Sequence, residues 1–199
     1  MSEAATVLPA WIAQLVTSRH PETQLAPSVM YDIISELYNK SLTKPSPSLL
    51  VFGLGFNTPT WVEACARCNA TVQIVEENVE FIRRNPGVDV LHIPPAAWGT
   101  TVGQGLSSRV PAVPEKLLRA SPFDIILVDG PTGYAPTCPG RQTSIQWASA
   151  LASRDGGIVY VDDFSRPIEQ AASVQYLLPV AKQPPQQWKE RLHTLKVRV

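Results

Sequence analysis

Apolar residues recur along this chain in two rhythms, one at helical spacing and one in short unbroken runs. Val7 to Arg19 carries Leu8, Trp11, Ile12, Leu15 and Val16, and Val29 to Tyr38 carries Val29, Ile33, Ile34 and Leu37; both spacings predict helices with one apolar face. Ser41 to Ser48, with Pro45 and Pro47, reads as a linker. The run that begins at Ser48, SLLVF, predicts a strand, and Gly53 and Gly55 end it in a tight turn before Thr58-Pro59 opens a helix to about Cys68. Thr71 to Val75 is a second strand stopping at Glu76-Glu77, and Val88 to Ile93 a short third. Pro94 to Pro114 is irregular and long for a connection, which marks it as a lid or substrate loop. Phe123 to Val128 is a near-continuous apolar run of the kind that a central parallel strand shows, and it ends in Asp129. A turn-rich loop, GPTGYAPTCPGR, leads to a helix over Gln142 to Ser153. Gly157 to Val161 predicts another strand, ending in Asp162-Asp163; Pro167 to Leu178 predicts a helix, and Leu192 to Val199 a closing edge strand.

Strands alternating with helices predict a single α/β domain with a doubly wound, mostly parallel, Rossmann-like sheet, and right-handed crossovers bring the strand ends to one rim. Residues 1–47 form an N-terminal helical segment expected to cap or cover an edge, and residues 48–199 the α/β domain proper. Ligands of such sheets bind outside the carboxyl ends of the strands, where Gly53, Gly55, Glu76, Asp129, Asp162 and Asp163 converge. Glycine at positions 53 and 55 lets a cofactor lie over the strand end. An acid about 20 residues further on suits the two ribose hydroxyls of an adenosine group. Glu76, nearer the strand end than Glu77, is the candidate; the competing reading is a solvated pair opening the next helix.

Composition narrows the partners. The 199 residues suffice for one such domain, and 17 basic against 17 acidic residues give a formal net charge of zero. No electrostatic grip on nucleic acid or on an anionic membrane is expected. Of three cysteines, Cys65, Cys68 and Cys138, the first two make a C-x-x-C on a predicted helix, without a second pair, and read as small packed residues rather than as a zinc site. The start has an acid where a signal peptide wants bases, and no stretch approaches the roughly 20 apolar residues of a membrane span. The expectation is a cytoplasmic protein.

The pieces VFGLG with a tryptophan shortly after, VEEN, ILVDGPTGY, PGR and DDFSRPIE together resemble the plant polysaccharide-biosynthesis family that includes glucuronoxylan 4-O-methyltransferases and arabinogalactan glucuronic-acid methyltransferases. The resemblance runs from about Gln24 to Leu178 and implies an O-methyltransferase that uses S-adenosylmethionine on a glucuronic-acid-like or other small hydroxylated acceptor. It implies Gly53, Gly55, Asn57, Glu76 and Asp129 as cofactor contacts. Asp129 and Pro131 to Tyr134 would line the reaction centre, and Tyr134, Arg141 and Arg166 would face the acceptor, a guanidinium being able to grip a uronate carboxylate in a fork. The chain departs from the family's usual Asp-Ser at Asn57-Thr58 and from its usual His-Asp at Asp162-Asp163, which removes the obvious general base. The plant members also carry an N-terminal membrane anchor that is not seen in this sequence.

Asp129, Asp162 and Asp163 are accordingly the catalytic candidates, either as bases or as ligands of a shared divalent ion such as magnesium, a cluster similar to that of metal-dependent catechol-type methyltransferases. The competing reading has Asp163 capping the next helix and pairing with Arg166. Two other functions stand beside methyl transfer: a cyclisation or isomerisation on the same fold, and a non-catalytic binding protein.

Overall fold

The computed structural model describes residues 7–19, 25–190 and 193–199. The first six residues and 20–24 of the N-terminal segment, and Leu192 of the last expected strand, lie outside the described residues. Seven strands form one sheet in the order β3-β2-β1-β4-β5-β7-β6. β1 (Ser48–Phe52), β2 (Thr71–Glu76), β3 (Val90–His92), β4 (Ile125–Val128) and β5 (Ile158–Asp162) run parallel. β7 (Thr194–Arg198) is antiparallel to both neighbours, β5 and β6 (Gln186–Trp188). The expected closing edge strand is therefore interior, and β6 is the edge. With three residues, mostly exposed and two of them glutamine, β6 offers no apolar alternation by which to be read.

The helices are α1 (Ala10–Arg19), α2 (Pro27–Ser41), α3 (Thr58–Arg67), α4 (Val79–Arg84), α5 (Glu115–Ala120), α6 (Gln142–Leu151) and α7 (Pro167–Tyr176). Side chains of a strand alternate between faces, and both faces are covered. Leu49, Val51, Ile125 and Leu127 pack with α1, α2 and α3, while Leu50, Phe52, Ile126 and Val128 pack with α5, α6 and α7. Ile12, Leu15, Met30 and Ile33 of the N-terminal helices belong to the same core cluster as β1. Among the described residues no helix is long and apolar enough to cross a membrane.

The long connection after β3 is docked. Its Trp98 is 1% exposed, stacks on Trp147 at 5.3 Å between ring centroids, and donates its indole N–H to the Ile93 carbonyl. A turn of 3-10 helix at Val102–Gln104 lies against the loop that follows β4: the Val102 N–H donates to the Cys138 carbonyl and the Gly103 N–H to that of Pro136. Three segments distant in sequence thus meet at the carboxyl end of the sheet.

Where β1 and β4 end, their backbones press together. A Cβ on Gly53, whose φ is +110°, would lie 3.1 Å from the Asp129 carbonyl group, and one on Gly130 would lie 2.8 Å from the Gly53 Cα. The need for glycine at position 53 is therefore this backbone contact rather than room for a cofactor; at Gly55 a Cβ would meet nothing within 4 Å. Gly130→Ala is expected to cost about 1–3 kcal/mol through overpacking, and Gly55→Ala to stay within about 0.5 kcal/mol, a contrast read from urea midpoints at unchanged m.

Candidate active site

The turn between β1 and α3 is held from two sides. The Gly55 N–H donates to Thr58 Oγ1 at 3.1 Å, and the Leu54 N–H donates to Glu76 Oε2 at 2.5 Å. Glu76 Oε1 accepts from the Asn78 N–H at 2.6 Å, so the carboxylate clasps both turns while each oxygen keeps a further lone pair. Burial, reinforced by the charge of Glu77 and opposed by these N–H groups, pushes the Glu76 carboxyl up to about 7. Glu77 accepts from the Thr132 N–H at 2.8 Å and so ties β2 to the loop after β4. Asn57, beside the open face of Gly55, is 4% exposed, and its Oδ1 is buried without a partner.

The three aspartates meet on one guanidinium. Arg141, the residue before α6, donates Nη1 to the Asp162 carbonyl at 2.5 Å and Nη2 to the Asp129 carbonyl at 2.9 Å. Nη2 also lies 3.2 Å from Asp129 Oδ1 and 2.6 Å from Asp163 Oδ2. Asp163 sits at φ 56°, in the left-handed region that aspartate tolerates better than most residues. Its Oδ2 also takes Arg166 Nη1 at 2.8 Å, the pairing foreseen as the bland reading; it caps no helix, since Arg166 occupies that position. Asp162 Oδ1 accepts from the Thr194 hydroxyl at 2.9 Å. Burial, then the neighbouring Asp162 charge, outweigh Arg141 and push the Asp129 carboxyl up to about 8; Asp162 is raised as well, again chiefly by burial.

Two expectations change here. Arg141, expected to face the acceptor, is 4% exposed and turned inward, its guanidinium filled by backbone carbonyls and acids. The shared divalent ion has no fitting donor set: a fixed cation already sits among Asp129, Asp162 and Asp163, and no group of three His, Cys, Asp or Glu among the described residues is arranged for a metal.

Beside this clamp opens a cavity of about 570 Å³, walled by Val102, Leu106, Tyr134, Arg166, Ile168 and Glu169 among others. It brings together the docked connection, the loop after β4 and the start of α7. Tyr134 stands at its mouth, 79% exposed. Glu169 is fully buried, and neither carboxylate oxygen has a hydrogen-bond partner. Sequence reasoning assigned it no role. The available signal was its place three residues after Arg166, a spacing that puts both on one helix face.

Residues 100–183 match the family described as IRX15/IRX15L/GXM. The chain is 28% identical to glucuronoxylan 4-O-methyltransferase 2 of Arabidopsis thaliana over 78% of its own length and 62% of that protein's. It is 30% identical to glucuronoxylan 4-O-methyltransferase 1 of the same plant, over 70% and 58%. The chain thus spans about three fifths of these relatives, and the likeness read from its motifs is borne out. Among solved structures, cofactor-bound Rv0187 from MTB matches with a TM-score of 0.53 at 16% identity, covering 94% of this chain and 88% of that one. Human methyltransferase-like protein 13, solved with SAH, matches with a TM-score of 0.51 at 16% identity over 84% and 79%. The expected Rossmann-like fold of the methyltransferase type is the observed one.

An acid whose carboxyl is raised on folding contributes stability that is present at low pH and lost as pH climbs through the raised value. Asp129→Asn imitates the protonated form and keeps an acceptor for Arg141. Its melting temperature should gain on that of the parent between about pH 4 and pH 8, from the ordinary to the raised value, by about 3 °C per kcal/mol for a chain of this size; a constant difference across that range would contradict the raised carboxyl.

Proposed function

We propose, for a chain whose residues 100–183 match the IRX15/IRX15L/GXM family on a methyltransferase fold, that it is an O-methyltransferase using S-adenosylmethionine on a hydroxyl of a glucuronic-acid-like acceptor. The observation that carries this reading is a pair of features among the loops that follow the parallel strands. One is the Gly55 turn with open space and the unpartnered Asn57 Oδ1; the other is the cavity walled by Tyr134, Arg166 and Glu169. The residues fit the cofactor. Glu76 has lone pairs left for the ribose hydroxyls, and Asn57 Oδ1 is a buried acceptor in need of a donor.

When bound, the cofactor supplies an electrophilic methyl group on a sulfonium. The chain's part is then positioning. Arg166, a quarter exposed and held by Asp163, directs a guanidinium to the cavity wall where a uronate carboxylate can meet it. Tyr134 stands ready to cover an acceptor's apolar face. The clamp of Arg141 fixes the loops that carry both, and orientation of this kind can supply on the order of 7–11 kcal/mol of barrier reduction.

Calorimetric titration with S-adenosylmethionine and S-adenosylhomocysteine should give micromolar binding, about −8 kcal/mol, lost in Glu76→Ala. Incubation with glucuronic acid and with glucuronic-acid-bearing xylo-oligosaccharides should add one methyl group by mass spectrometry, with the Michaelis constant for the acceptor raised in Arg166→Ala. Absence of binding to either cofactor form would overturn the proposal.

A further inference from the structure

The acids at the ends of the fourth and fifth strands are engaged. Asp162 is bonded to Thr194, Asp163 to two guanidiniums, and Asp129 lies against Arg141. The carboxylate with neither oxygen bonded lies in the first turn of α7. Glu169 has no hydrogen-bond partner on either oxygen although it is fully buried, and an orphaned buried acid costs free energy that a merely structural residue would not be expected to incur.

The loop after β4 packs directly against this acid through a glycine. A Cβ on Gly133 would stand 3.1 Å from Glu169 Oε1 and 3.1 Å from Arg166 Nη1. The acid and the guanidinium therefore stand close together at the wall of the cavity. The walls around it, Val102, Leu106 and Ile168, are apolar. Such a site favours a ligand with a hydroxyl for the carboxylate, a neighbouring anionic group for the guanidinium and a carbon face for the walls.

We infer that Glu169 binds the acceptor's hydroxyl in this cavity and takes its proton during transfer. The inference rests on the methyltransferase reading above. In the balanced step, an oxygen lone pair of the acceptor forms the O–CH3 bond and the S–CH3 bond breaks with its electron pair kept by sulfur. The hydroxyl proton goes to a Glu169 oxygen. Burial raises the proton affinity of Glu169, against the pull of Arg141 and Arg166 and with the help of Asp163, the charged groups that face it from the starts of α6 and α7 and the end of β5. A raised carboxyl nearer neutrality is the better proton acceptor for a weakly acidic alcohol at working pH.

The test uses Glu169→Gln, which can still accept a hydrogen bond but cannot take a proton, and Gly133→Ala, which crowds the acid and the guanidinium without altering charge. With glucuronic-acid-bearing xylo-oligosaccharide as probe, Glu169→Gln should lower kcat by about 10²–10⁴-fold with the acceptor's KM little changed, and should remove the acidic limb of the pH–rate profile. Gly133→Ala should instead raise KM. Both should bind S-adenosylhomocysteine as the parent does. Apart from turnover, Glu169→Gln should melt above the parent at pH 8, because it removes an unpartnered buried charge. A lower melting temperature, or an unchanged kcat, would overturn the assignment. If the parent binds no S-adenosylhomocysteine, it is the methyltransferase reading that fails; the melting comparison then decides on its own whether Glu169 is a site residue or a structural one.

Discussion

The carboxyl rim of this sheet depends on one buried guanidinium. Arg141 joins the backbone ends of β4 and β5 and the turn into α7, segments that the chain brings together only by folding. A buried cation is stable only when its partners repay its lost hydration, and leaving it half-satisfied costs several kcal/mol. Here two carbonyls and two carboxylates do so, with Nε alone unpaired. The Gly53–Gly130 backbone contact lies directly against Asp129, so strand packing and the clamp constrain the same few residues.

The contrast with Glu169 explains how the rim divides its labour. Arg141 is buried and filled, and it ties the loops together; Glu169 is buried with neither oxygen bonded, although Arg141 and Arg166 attract its charge. Polar groups that weaken a fold persist where activity needs them. Arg166 stands between the two, one nitrogen on Asp163 and its guanidinium at the cavity wall.

The opposite side of the sheet is stitched by a different network. Lys196 of β7, 5% exposed, pairs with Asp32 and Glu36 of α2 at 2.7 Å each and lies over the Tyr160 ring, while the Tyr160 hydroxyl donates to Asp32 at 2.5 Å. Burial and these acids hold the Tyr160 phenol well above its ordinary range. The N-terminal helices are bound to the sheet by these charges as well as by Ile12, Met30 and Ile33.

By itself the sequence determined the order of six of the strands and of the longer helices, the strands buried on both faces and the rim on which the acids gather. Those features follow from periodicity and from the handedness of crossovers, which are local or general. It also held, in VEEN, VDGPTGY, PGR and DDFSRPIE, the family likeness. Only the tertiary structure decided where each polar group spends its hydrogen bonds. That Arg141 turns inward, that Gly53 answers to Gly130, that β6 rather than β7 forms the edge and that Glu169 has no partner are all facts about segments far apart in the chain. The physical reason is that a charged side chain buried in a fold is defined by what surrounds it in space, and no spacing along the sequence records that.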